Sequence, residues 1–263
     1  MRIGNCIRNV EEISGVKAAG FDFYEFSGKE IAAMDETAFS ELVRESETVG
    51  LPCIGFNSYC GGRPAIVGED VSLKETEDYA RLLCRRGHRL GIRSIGIGAP
   101  AARRLPQDYP VEKADRQCRS FLQITAEECR RWGILLLFEA VHEKACSYAV
   151  RTADAVRVVE QAGVPDLGIV LDFYHMHVMG ESFSDAEGAF PYLRHVHVST
   201  CEENLWRGYP LWPDREEYRR IFARLKRHGY RQGTVSVENT SFDLETAKSS
   251  LEMLRELDRE TEG

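Results

Sequence analysis

Four short runs in this chain stop on a side chain that can bind a cation. Ile134-Leu-Leu-Leu-Phe ends in Glu139, Gly168-Ile-Val-Leu in Asp172, Leu193-Arg-His-Val in His197 and Thr234-Val-Ser-Val in Glu238. Each run reads as a buried strand of a parallel sheet. Carboxylates disfavour strand interiors and are costly to bury alone, but at a strand end they can turn away from the sheet into a cavity. Three carboxylates converging there would repel one another unless a cation lay among them. Oxygen-rich ligation with one imidazole suits Mn²⁺ first, then Mg²⁺ or Co²⁺, with Zn²⁺ behind because structural zinc prefers thiolates and several histidines. Taken singly, each carboxylate has a competing reading as a helix cap or a solvated ion pair. Four in successive strands favour one shared ion.

Neighbouring residues extend the set. His175, three residues beyond Asp172, is placed either to reach a substrate or to sit in a loop with its hydrogen bond satisfied. Arg207, in the connection after His197, can pair with a substrate oxygen or phosphate, or stay in solvent. His195 shares a strand face with His197, being two residues away, and reads as packed or supporting. His177 is assigned no role. Arg103 and Arg104 are expected in solvent. Trp206 and Trp212 are expected either as an apolar wall or lid over a ligand or as core packing against a loop.

These side chains need a frame, and one repeated signal supplies it: an amphipathic helix, a glycine suited to a left-handed cap, then an apolar strand. It occurs at Gly20, Gly50, Gly91, Gly133, Gly163 and Gly229. Strands are expected at 2–6, 22–26, 52–56, 94–98, 134–139, 167–171, 194–198 and 234–238. Helices are expected at 10–19, 35–49, 72–90, 111–132, 152–162, 183–192, 214–228 and 244–257. This alternation predicts an α/β fold, a single (β/α)8 barrel spanning 1–263 as one domain, rather than an open sheet. The strand-to-helix connections 57–71, 99–110 and 199–213 are long, and in such a barrel they lie on the face where sites form.

Composition and charge favour a small-molecule partner. The 263 residues are 43% hydrophobic and 29% charged, with a formal net charge of −8. That charge argues against nucleic acid or an anionic membrane as the main partner. With neither an apolar span nor a leader pattern, a cytoplasmic location is expected. The eight cysteines are scattered without a C-x-x-C pair and are expected as free thiols.

The chain resembles the sugar phosphate isomerase/epimerase family of xylose isomerase-like barrels, which includes D-tagatose 3-epimerase, hydroxypyruvate isomerase and the inosose dehydratases. The likeness begins with Arg2-Ile-Gly and Ala19-Gly-Phe-Asp-Phe-Tyr-Glu. It becomes specific at Phe138-Glu-Ala, Leu171-Asp-Phe-Tyr-His-Met, His195-Val-His-Val-Ser and Ser236-Val-Glu-Asn. The resemblance implies that Glu139, Asp172, His197 and Glu238 hold one divalent cation and that Glu139 and Glu238 are the acid/base pair. It also implies that His175 and Arg207 contact substrate oxygens. The activity it implies is isomerisation or epimerisation of a sugar, sugar phosphate or related polyol ketone, by proton transfer through a metal-stabilised enediolate. The expected partner is a small carbohydrate, and the protein is expected to be a homo-oligomer.

One departure stands out. Epimerases of this family carry a second glutamate six residues past the strand-five ligand, where this chain has Ala145. The substrate contact is then absent or supplied by His142 or Glu143, which leaves room for a dehydratase of an inosose-type keto-polyol. Two rivals remain. An apurinic-site endonuclease would need extra histidines where this chain has Asn57 and Gly98, and a barrel that binds sugar without catalysis would not exchange a carbon-bound proton.

Overall fold

The computed structural model describes residues 1–201 and 203–261. In chain order the strands are β1 (Arg2–Ile7), β2 (Phe23–Ser27), β3 (Cys53–Asn57), β4 (Ser94–Ile97), β5 (Leu135–Glu139), β6 (Gly168–Asp172) and β7 (Leu193–Val198), then β8 (Thr200–Cys201), β9 (Arg207–Gly208) and β10 (Thr234–Val237). All but β8 and β9 pair in parallel and close into a barrel of order β1-β10-β7-β6-β5-β4-β3-β2. β8 and β9 form a separate antiparallel ribbon in the connection from β7 to β10. This is the α/β barrel that the alternating pattern predicts. No helix among the described residues is long and apolar enough to cross a membrane.

The outer layer consists of α1 (Glu12–Ala19), α2 (Gly28–Ala33), α3 (Glu36–Val49), α4 (Leu73–Leu90), α5 (Val111–Arg131), α6 (Thr152–Ala162), α7 (Phe173–Val178), α8 (Arg215–Arg227) and α9 (Leu244–Glu260). In α4 the apolar stripe Ala80, Leu83, Cys84, Gly87 recurs at three- and four-residue steps and is buried against the barrel. Helix starts are fixed by side chains that satisfy a free amide: Asp35 accepts from Ala38 N at 2.8 Å, and Asp243 from Thr246 N at 2.9 Å. Helix exits are fixed by the six glycines named above, all at positive φ, a conformation that a Cβ would strain.

Two expectations need correction. The helix expected at 183–192 is a 3-10 helix over Glu187–Tyr192, and the α-helix of this unit is α7, which starts directly after β6. The cause is Asp172, whose Oδ1 accepts from Tyr174 N at 2.8 Å and from His175 N at 3.3 Å and so starts the helix early. Downstream, Pro191 has no amide to extend a regular ladder.

Arg104 is exposed as expected, but Arg103 is 0% exposed. It sits on a 3-10 turn over Pro100–Arg103 that folds under the connection after β5. Its guanidinium donates to Gly98 O, to Glu139 O at 3.0 Å and to Tyr148 O and Ala149 O at 3.5 Å, and it lies 4.8 Å from the centre of the Phe138 ring. Removing this buried donor would leave carbonyls such as Ala149 O short of a partner, which costs more than the hydrogen bonds gain. Arg103→Met is expected to lower the unfolding free energy by about 3 kcal/mol, read from urea titration, whereas Arg104→Met should change it little.

Candidate metal and active site

Strand register brings the four strand-end residues to one rim. Asp172 pairs with His197 across β6 and β7. Glu139 pairs with Val170, two residues before Asp172 on the same face, and Ser236 pairs with His197 two residues before Glu238. Parallel neighbours share a face and alternate residues repeat it, so all four side chains point into the barrel mouth. β5, β6, β7 and β10 are consecutive around the barrel, with Asp172 and His197 in the middle of the arc and Glu139 and Glu238 at its ends.

One ligand atom from each of the four lies within 4.8 Å of the other three. His197 Nδ1 is 3.2 Å from Glu139 Oε1, 3.3 Å from Glu238 Oε2 and 3.9 Å from Asp172 Oδ2. Ligands about 2.1 Å from one small divalent ion stand roughly 3.0 to 3.4 Å apart at adjacent vertices of an octahedron or tetrahedron. Two of the three spacings match, and the third closes with a small movement of one side chain. A single imidazole can donate its Nδ1 proton to only one of three carboxylates, whereas a cation can satisfy all of them. The donor set therefore fits a hard or borderline divalent cation.

Arg207 reaches into the same cluster from β9. Its guanidinium pairs with Asp172 Oδ2 and lies 2.6 Å from Glu238 Oε2, 3.1 Å from His175 Nε2 and 3.3 Å from Ser199 Oγ, stacked 4.2 Å from the Tyr174 ring centre. The electrostatics follow from these contacts. Burial pushes the Glu139 carboxyl above its usual range, and the pull of His197 does not cancel that push. Burial acts in the same sense on Glu238 and Asp172, but Arg207 together with His197, and with His175 at Asp172, outweighs it and holds both below the usual range. The two carboxylates at the ends of the arc are thus pushed in opposite directions, a pattern that suits one to give a proton and the other to take one. Burial holds the imidazoles of His175 and His142 below their usual range, so both stay neutral.

A cavity of about 160 Å³ opens beside the cluster, lined by Glu139, Ala145, His175, Arg207, Glu238 and Ser58 among others. His142 is buried with its ring 5.1 Å from that of His175, at the edge of the site. Glu143 is exposed and does not line the cavity. It occupies the corner of a turn closed by Ala145 N to His142 O at 3.0 Å, and corner side chains point outward. His177 is exposed on α7, 3.8 Å from Glu217. Trp206 and Trp212 are 56% and 40% exposed, which excludes core packing for both.

Two residues of the site are given no role by the sequence reading. Asn57, ending β3, donates from Nδ2 to Glu238 Oε1 at 3.1 Å. Glu25, inside β2, is buried beneath the cluster, 3.5 Å from His197 Nε2. The signal for Asn57 was present, a polar side chain closing an apolar strand. That for Glu25 was weaker, because an inward carboxylate in mid-strand is legible only once register is known. Gly98 also belongs here, since a Cβ on it would stand 2.5 Å from Glu139 Oε2.

The family model described as xylose isomerase-like TIM barrel matches residues 13–257. An inosose isomerase from Halalkalibacterium halodurans is 30% identical over 139 residues, 47% of this chain and 45% of that protein, so the match spans under half of that relative. A 3-dehydro-D-guloside 4-epimerase from Escherichia coli is 24% identical over 244 residues, covering 87% of this chain and 86% of that protein. Among solved structures, the 3-keto-D-glucoside 4-epimerase of E. coli superposes with a TM-score of 0.76 at 19% identity, covering 97% and 99% of the two chains. D-psicose 3-epimerase from Clostridium cellulolyticum H10 gives 0.75 at 18% identity, covering 99% and 96%.

Proposed function

The chain belongs to the xylose isomerase-like TIM barrel family, and from that premise we propose that it is a divalent-metal-dependent isomerase or epimerase of a keto-sugar or related polyol ketone. The curated relatives act on such compounds by their names, an inosose isomerase and a 3-dehydroguloside epimerase. The observation that carries the reading is the convergence of Glu139, Asp172, His197 and Glu238 within 4.8 Å, with a carboxylate at each end of the arc.

The four residues would hold the ion, with Mn²⁺ the first choice. Bound there, it supplies Lewis-acid stabilisation of the negative charge that develops on two neighbouring substrate oxygens as a C–H proton leaves. The remaining work falls to the chain. Glu238, held by Asn57 through Oε1, is placed to take or return the proton from one side of the cavity, and Glu139 from the other. Transfer between opposite faces inverts a carbon, whereas transfer between neighbouring carbons on one face shifts the carbonyl. Neutral His175 and the Arg207 guanidinium, both lining the cavity, orient substrate oxygens. The nuclease rival needs further ligands at the ends of β3 and β4, where Asn57 and Gly98 stand.

The test is deuterium uptake from heavy water into a panel of inososes, 3-keto-glycosides and free ketoses, with Mn²⁺ and with chelator. Exchange that requires the metal is the expected result, with an isomeric product of unchanged mass apart from the label. A product lighter by one water would assign the dehydratase chemistry instead. No exchange in any compound with Mn²⁺ present would overturn the proposal.

A further inference from the structure

Glu25 is a carboxylate in the middle of a buried strand, 4% exposed and without an arginine or lysine partner among the described residues. Four neighbours converge on its Oε1: His195 Nε2 at 2.6 Å, the Ser236 hydroxyl, His197 Nε2 at 3.5 Å and Cys6 Sγ at 3.8 Å. His195 is fixed in turn by Thr234 Oγ1, 2.7 Å from its Nδ1. The other carboxylate oxygen faces a glycine of β3, and a Cβ on Gly55 would crowd Oε2 at 3.3 Å. Burying a charge this deeply is costly, and the apolar filling usual in a barrel interior would avoid the cost.

The geometry points to a purpose: we propose that Glu25 is a positioning residue that makes His197 a metal ligand through Nδ1. The proposal rests on the metal-site reading above. His197 has two ring nitrogens facing opposite ways, Nδ1 toward the three carboxylates and Nε2 toward Glu25. A neutral imidazole carries one proton, and the nitrogen without it is the one that can bind a cation. Glu25, whose Oε1 lies 3.5 Å from Nε2, favours the proton on that nitrogen through its charge, which leaves the Nδ1 lone pair aimed at the cluster. His195 and Ser236 hold the carboxylate in place by donating to the same oxygen. A carboxylate behind a ligating histidine also raises the basicity of the ring.

The test is Co²⁺ affinity, by competition with a chelator, together with the visible Co²⁺ spectrum, for the parent chain and the variants Glu25→Ala and Glu25→Gln. Each is first shown by circular dichroism to be folded in chelator. Glu25→Ala is expected to lose about 10- to 100-fold in affinity and to shift the Co²⁺ bands, because His197 is no longer held to one tautomer and orientation. Glu25→Gln keeps an acceptor oxygen without the charge and should recover part of the affinity. Parent-like affinity and bands in a folded Glu25→Ala protein would overturn the inference, since a purely structural role would move only the melting temperature. If Glu25→Ala does not fold, Glu25→Gln decides: weaker binding with shifted bands supports the inference, and parent-like binding overturns it. A parent chain that takes up no Co²⁺ refutes the underlying metal reading, and this outcome is visible before any variant is compared.

Discussion

Glu238→Gln is expected to reduce proton exchange between substrate and solvent by at least about 10³-fold while leaving the fold intact. The substitution preserves shape, and an amide can still meet Asn57 Nδ2 through its oxygen, now at 3.1 Å from Glu238 Oε1. What it removes is the capacity to accept a proton, and general acid–base catalysis by a positioned group accounts for about 10² to 10⁴ in rate. It also removes one anionic ligand, so metal affinity falls as well. Excess Mn²⁺ separates the two effects, since it restores occupancy but not the base. The measurement is deuterium wash-in at saturating Mn²⁺, with the melting temperature as control. Exchange at the parent rate in a folded Glu238→Gln protein would remove Glu238 from the chemistry and leave Glu139 as sole candidate.

The comparison of Glu238 with Glu25 shows what a sequence can disclose about such a site. Glu139, Asp172, His197 and Glu238 each announce themselves locally, because an apolar strand that stops on a charged side chain is a break in a short pattern. Their convergence was also inferable, since closed parallel barrels place successive strand ends side by side, and β5, β6, β7 and β10 are neighbours. Glu25 offers no such break: it stands between Tyr24 and Phe26, and only the pairing of Cys6 with Glu25 and of Ser236 with His197 sets it beneath the imidazole. Arg103 was misplaced for a related reason. An arginine in a loop is normally solvated, and nothing within its own turn reveals that the carbonyls of Gly98, Glu139, Tyr148 and Ala149 converge on it. Glu143 fails in the opposite sense, since its composition suits a substrate contact but a turn directs it to solvent. Local pattern fixes which side chains end a strand, whereas contacts between distant loops are set by packing that no short window contains.

Arg207→Met is expected to move two measurements in opposite directions, lowering kcat/KM by about 10- to 100-fold while tightening Mn²⁺ binding. The guanidinium pairs with Asp172 and Glu238, and these are carboxylates that the ion would need. Without metal it neutralises part of their mutual repulsion, so a cation entering the cluster must displace or share its contacts and meets like charge on the way. Methionine puts an uncharged side chain of similar reach beside Tyr174, in place of the guanidinium stacked on its ring, and removes both obstacles. The loss on the substrate side has a separate origin. Arg207 also lines the cavity beside His175, where its donors can meet substrate oxygens, and charge-assisted hydrogen bonds of this kind contribute about 1.5 to 3 kcal/mol each. Mn²⁺ titration calorimetry and steady-state kinetics on the same preparation read the two effects. If metal affinity falls together with kcat/KM, Arg207 supports the ligands rather than competing for them, and the ion must bind without disturbing its contacts with Asp172 and Glu238.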